Sequence, residues 1–263
     1  MQVWLNVAMK IATWNVNSLT VRLPHLTDWL AAHSPDVVCI QETKLEDKKF
    51  PGDALRDAGY HALFSGQRTY NGVAILSRTA AENAMKGIPG LEDVQQRVLS
   101  ATIGGVRVVC VYVPNGENLE SPKFEYKMGW LKALQTWLGG ELARYPQLVV
   151  AGDYNIAPEA RDVHDPELWS AKIHFTPPER EALHALAGIG LVDAFRLFDQ
   201  PERSYTWRDY RMMAFRRKMG LRIDHILLSP ALAPLCTSCM IDVEPRRLER
   251  PSDHAPVIAE LAL

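Results

Sequence analysis

A layered α/β domain is the fold class this sequence predicts, on three observations. Short β-branched, apolar runs recur along the chain, segments of helical spacing lie between them, and Gly104-Gly105 joins two runs as a hairpin. Strands and helices mixed over the whole length favour layers over a bundle or an all-β barrel.

The runs that read as strands are residues 10–15, 36–40, 72–77, 98–103, 106–112, 147–151, 222–228 and 255–261. Several are nearly continuous in apolar residues and so fit strands buried on both faces. The two-residue glycine turn makes at least part of the sheet antiparallel. Residues 23–32 read as a helix. Ser121-Pro122 supplies an N-cap and a first-turn proline, and Phe124, Met128, Leu131, Leu138 and Leu142 follow at helical spacing. Thr176-Pro-Pro-Glu179 is a capping box that opens a helix to about Gly188.

Composition narrows the class. With 263 residues, 47% hydrophobic and 23% charged, the chain reads as one globular domain, and no Ser/Gly-rich linker or charge block divides it. Met9-Lys10 reads as a second start, so residues 1–8 are taken as an N-terminal extension and 9–263 as the domain. No apolar stretch is long enough to span a membrane, and the opening residues lack the pattern of a secretory signal. A cytoplasmic monomer with no membrane partner is expected. Cys39 and Cys110 fall in apolar runs as reduced core thiols, and no second pair follows Cys236-x-x-Cys239 at ligand spacing, so no metal or redox use is assigned to it. There is neither a G-x-x-x-x-G-K-[ST] nor a G-x-G-x-x-G segment to support a nucleotide-cofactor fold. A net charge of −2 does not advertise a nucleic-acid binder, so a local basic face has to be found.

Polar residues gather at the ends of the expected strands: Asn15 and Asn17, Glu42, Tyr112 and Asn115, Asp153 and Asn155, Asp224, and Asp253-His254. A lone strand-end Asp or Asn is an ordinary turn former. Several converging acids are different, because buried carboxylates repel one another unless a cation or hydrogen bonds compensate them. A metal or a proton relay is the expectation.

In order, WNVNS, IQETK, VYVPN, GDYNIAP, IDHILLS and SDHAP resemble the motifs of the exonuclease III family of apurinic endonucleases, within the fold shared with deoxyribonuclease I. The resemblance runs from Met9 to the end. It implies a four-layered α/β sandwich, with two packed mixed β-sheets flanked by helices, and a metal-dependent hydrolase of DNA phosphoesters. Activities implied are 3′–5′ exonuclease, 3′-phosphatase or abasic-site endonuclease, on duplex DNA with abasic sites or blocked 3′ ends. Glu42 looks like the principal Mg²⁺ or Mn²⁺ ligand, with Asn15 and Asp253 beside it. Asp153, with Asn155, matches the position that activates the attacking water. His254 would donate to a phosphate oxygen while Asp224 holds its ring. Tyr112 matches a phosphate contact or a proton relay, and Asn115 a phosphate contact.

Residues 208–222 carry Arg208, Arg211, Arg216, Arg217, Lys218 and Arg222 against the single acid Asp209, with aromatic residues interleaved. A basic run alone is often only a solvated face. Here Trp207, Leu221 and Ile223 match positions lining a pocket for a displaced sugar, and Arg208, Arg211 and Arg216 are expected on DNA. His174, in the loop of residues 162–175, would grip a phosphate or obstruct an extruded abasic sugar; obstruction would make 3′-end trimming dominant. The same fold serves phosphoesterases of lipids and RNA, and a non-catalytic DNA-binding module is a further alternative, one that should have lost a residue from the catalytic set.

Overall fold

The computed structural model describes residues 8–263. The expected extension lies outside them, except that Ala8 already pairs in the first strand. Twelve strands form among the described residues: β1 (Ala8–Asn15), β2 (Val37–Gln41), β3 (His61–Ser65), β4 (Val73–Ser77), β5 (Glu82–Lys86), β6 (Val98–Ile103), β7 (Val106–Tyr112), β8 (Leu148–Asp153), β9 (Val192–Asp193), β10 (Asp224–Leu228), β11 (Cys236–Ile241) and β12 (Val257–Ala262). The α-helices are α1 (Leu19–His33), α2 (Gly52–Asp57), α3 (Pro122–Arg144), α4 (Pro166–Trp169) and α5 (Pro177–Gly188).

The strands divide into two mixed six-stranded sheets, ordered β11-β12-β1-β2-β4-β3 and β5-β6-β7-β8-β10-β9. Central strands are buried at every position, in keeping with their nearly continuous apolar runs. Inward residues such as Ile11, Cys39 and Ile75 of one sheet meet Val108, Cys110, Val149 and Ile226 of the other. On the outer faces, Leu26, Trp29 and Leu30 of α1 cover Trp14, Val38 and Ile40, while Trp130, Leu134 and Leu138 of α3 and Leu186 of α5 cover Val109, Val111 and Val150. The result is the four-layered sandwich expected, and among the described residues no helix is long and apolar enough to cross a membrane.

Local signals act as anticipated. Ser121 caps α3 through its side chain, and Thr176 with Glu179 closes the capping box of α5. Gly104 and Gly105 both take positive φ, as a type I′ turn demands. Helix α1 starts at Leu19, four residues before the expected onset, and carries Pro24 inside it. Strands β3, β5, β9 and β11 lie at or beside sheet edges and carry no continuous apolar run.

Candidate active site

One rung of the second sheet assembles the centre. In register, Tyr112 of β7 stands beside Asp153 of β8, and Asp153 beside Asp224 of β10. The first sheet contributes Asn15 from the end of β1 and Glu42 from the residue after β2, the latter at a positive φ of 54°. The loop into β12 supplies Asp253 and His254, fixed by Ser252, whose hydroxyl donates to the Asn15 carbonyl and accepts from the His254 N–H.

Asn15 Nδ2 donates both to Glu42 Oε1 at 2.8 Å and to Asp153 Oδ2 at 2.9 Å. His254 Nδ1 donates to Asp224 Oδ2 at 2.9 Å, and its Nε2 stands 3.9 Å from Asp153 Oδ2. Asn155 N–H donates to Asp153 Oδ1 at 2.9 Å, and its amide donates to the Val113 carbonyl. Asn115 Nδ2 lies 3.4 Å from both Asn155 Oδ1 and His174 Nε2.

Charges crowd together here in a dry setting. Burial first, and then the neighbouring Asp224, push Asp153 up to about 7, although His254 pulls it down. Burial disfavours a charged His254, but Asp224 and Asp153 outweigh it and bring the ring up to about 10, so it is an imidazolium at neutral pH. Burial, followed by the Glu42 and Asp153 carboxylates, raises the Tyr112 hydroxyl. His174 goes the other way, down to about 4, through burial and the nearby Lys127 ammonium.

Glu42, Asp153 and His254 each bring a ligand atom within 4.8 Å of the others and form a potential metal site. Two carboxylates suit a hard divalent cation, and a nearby positive charge would relieve the raised Asp153. The protonated His254 suits hydrogen-bond donation better than ligation.

Two expected metal neighbours are arranged differently. Asn15 turns its nitrogen towards the acids, and its oxygen accepts from Asn17 N–H, so it bridges Glu42 and Asp153 as a donor. The Asp253 carboxylate accepts from Asn17 Nδ2 at 2.8 Å and from Trp207 Nε1 at 3.0 Å, and it lies outside the ligand cluster.

Beside the centre opens a pocket of about 770 Å³, lined by Asn115, His174, Trp207, Trp169, Met212 and Met219 among others. His174 sits in its wall at φ 78°, its ring 6.3 Å from that of Trp207, with Nδ1 donating to the Asn155 carbonyl at 2.8 Å. Leu221 and Ile223, expected as lining, instead pack behind it with Val163 and Phe175. Arg208 is a correction too: it is buried, donates to the Tyr205 carbonyl and lies over Tyr205 and Phe215, because the chain bridges back at Trp207 and turns the side chain inward. Arg211 is exposed but paired with Asp209, while Arg216, Arg217 and Lys218 face solvent. Sequence reasoning missed Trp169, the last residue of α4, whose short Pro-Glu-Leu-Trp segment carries no distinctive signal.

Fold and site together define a hydrolytic enzyme whose carboxylates, imidazolium and potential cation site suit a phosphoester. The chain belongs to the Endonuclease/Exonuclease/phosphatase family, whose model matches residues 12–254. It is 34% identical to exodeoxyribonuclease III of Haemophilus influenzae, over 96% of this chain and 99% of the relative. Among solved structures, a 3′ phosphatase from Neisseria bound to a product DNA hairpin is 50% identical with a TM-score of 0.95, covering 97% of this chain and 100% of that one. An AP endonuclease from Archaeoglobus fulgidus is 39% identical with a TM-score of 0.94, at the same coverage.

Proposed function

We propose that the protein is a cytoplasmic DNA-repair hydrolase that cleaves phosphoesters in duplex DNA with the help of Mg²⁺ or Mn²⁺. The observation that carries this reading is the Asp224–His254–Asp153 arrangement with Glu42 alongside. Asp153 orients and deprotonates the attacking water, held for that task by Asn15 and the Asn155 N–H. His254, its ring fixed by Asp224, directs its free Nε2–H at a phosphoryl oxygen. Asn115 and Asn155 face the same phosphate, with Tyr112 beside them as a donor. Glu42 and Asp153 would hold the cation, which neutralises charge developing on the phosphoryl oxygens. The exposed Arg216, Arg217 and Lys218 suit contacts to the DNA backbone, which position a duplex without reading its sequence.

The test is incubation with Mg²⁺ or with EDTA on three duplexes, carrying an internal abasic site, a 3′ phosphate at a nick, or a recessed 3′ end. Metal-dependent product that disappears in Asp153→Asn supports the reading; intact binding without product on any of them removes it.

A specific observation favours 3′-end processing over abasic-site incision. The imidazole of His174 occupies the pocket wall between Asn115 and Trp207, where an extruded sugar would pass. The Neisseria relative, described as a 3′ phosphatase, agrees with that bias.

A further inference from the structure

A buried ion pair lies beneath the site and takes no part in the chemistry above. Lys127 of α3 and Glu179 of α5 are both fully buried, with the ammonium on a carboxylate oxygen. The two remaining protons of Lys127 go to main-chain carbonyls, of Asn115 at 3.2 Å and of Asn155 at 2.8 Å. Glu179 accepts in turn from the His174 N–H at 3.0 Å and from the N–H and hydroxyl of Thr176.

Apolar side chains of similar volume would fill this space at least as favourably, since taking two charges out of water is costly even when they meet. What an apolar pair would not do is hold three polypeptide segments. Asn115 follows β7, Asn155 follows β8, and His174 precedes α5. Asn155 and His174 are also non-glycine residues in left-handed backbone, at φ 51° and 78°. Such strain persists only where surroundings over-determine it. Here the Asn155 carbonyl takes Lys127 and the His174 N–H meets Glu179, so each strained residue is pinned by one member of the pair.

We propose that Lys127 and Glu179 are positioning residues for the reaction: together they set the asparagines at the phosphate and stand His174 in the pocket wall. The proposal rests on the phosphoester-hydrolase reading of the site. It makes both turnover and the choice of substrate depend on two side chains that no substrate touches.

The experiment compares the parent with Lys127→Met/Glu179→Gln, which removes both charges together, and with Lys127→Gln/Glu179→Gln, a neutral pair that can still hydrogen-bond, should the first double variant not fold. Melting temperature in Mn²⁺ checks folding. Turnover is measured on bis(p-nitrophenyl) phosphate, a small diester independent of DNA, and on duplexes carrying a 3′ phosphate or an abasic site. In a folded variant, kcat should fall roughly 10- to 100-fold on both the small diester and the 3′ phosphate, the scale of losing support behind reacting groups. KM should hold within about threefold, and the ratio of abasic incision to 3′-phosphate release should rise as His174 relaxes. A kcat within about twofold of the parent, or a raised KM at constant kcat, overturns the proposal. A parent that turns over the small diester but no duplex removes the DNA reading, and the pair is then judged on the diester.

Discussion

Replacing His174 by glycine tests whether its ring keeps an abasic sugar out. The backbone at φ 78° suits glycine, so strain of about 1 kcal/mol is relieved. Against this stand the lost Nδ1–H bond to the Asn155 carbonyl, about 1 kcal/mol, and the extra freedom of glycine in the unfolded chain, about 1 kcal/mol. The Asn155 carbonyl keeps Lys127 as a donor, so no buried acceptor is orphaned. A net loss of about 1 kcal/mol, plus some ring packing, should lower the melting temperature by only a few degrees. Seating a sugar against a ring already in place is an overpacking penalty of about 1 to 3 kcal/mol. His174→Gly should therefore gain roughly 10- to 100-fold in kcat/KM for abasic-site incision. Incision and 3′-phosphate release would be followed on labelled duplexes from the same preparations. A folded variant that keeps 3′-phosphate release and gains no incision refutes the reasoning.

Asp153→Asn should lower turnover by about 10³-fold or more, as loss of a general base does. Its raised value of about 7 makes the folded state hold a proton that the unfolded chain releases near pH 4. That contribution is complete below pH 4 and lost as pH rises through 7, so urea denaturation in EDTA should show the parent losing stability relative to Asp153→Asn over this window; parallel curves would contradict it. Mn²⁺ should raise the melting temperature more at pH 8 than at pH 6, because the cation displaces that proton, and Glu42→Gln should abolish most of the shift. For duplex binding, Arg216→Ala should reduce the slope of log K against log salt by about 1. Arg208→Ala should destabilise the fold and leave that slope unchanged, since its guanidinium is buried; a slope change there would place it on DNA after all.

The central strands were legible because burial on both faces leaves a nearly continuous apolar run, as in Val106–Tyr112, broken only by the buried Arg107 that pairs with Glu141. Edge strands escaped for the converse reason: β5 reads Glu-Asn-Ala-Met-Lys and is almost wholly exposed, so solvent imposes no alternation on it. The residues that converge at the candidate site were visible as strand-end polar residues in a familiar order. Orientation was not. Nothing in the letters says that Asn15 turns its nitrogen inward, that Asp253 is claimed by Trp207, or that Arg208 stacks on Phe215 while Arg216 does not. Such choices depend on partners far away in sequence. Lys127 and Glu179 were hidden for a similar reason: in a helix of 23 residues a lysine reads as surface until a second helix supplies its carboxylate.

Tyr112, Asp153 and Asp224 lie on a single rung of neighbouring strands. Strand spacing is a constant of the β-ladder, about 4.8 Å, so the hydrogen-bonded backbone acts as a ruler for the reacting groups. Loops at this end of the sandwich can lengthen, shorten or change sequence without altering those separations. Breaking the row means opening the middle of a six-stranded sheet, the last part of such a domain to yield. Activity and global structure should accordingly vanish at the same denaturant concentration, making turnover itself a probe of the whole fold.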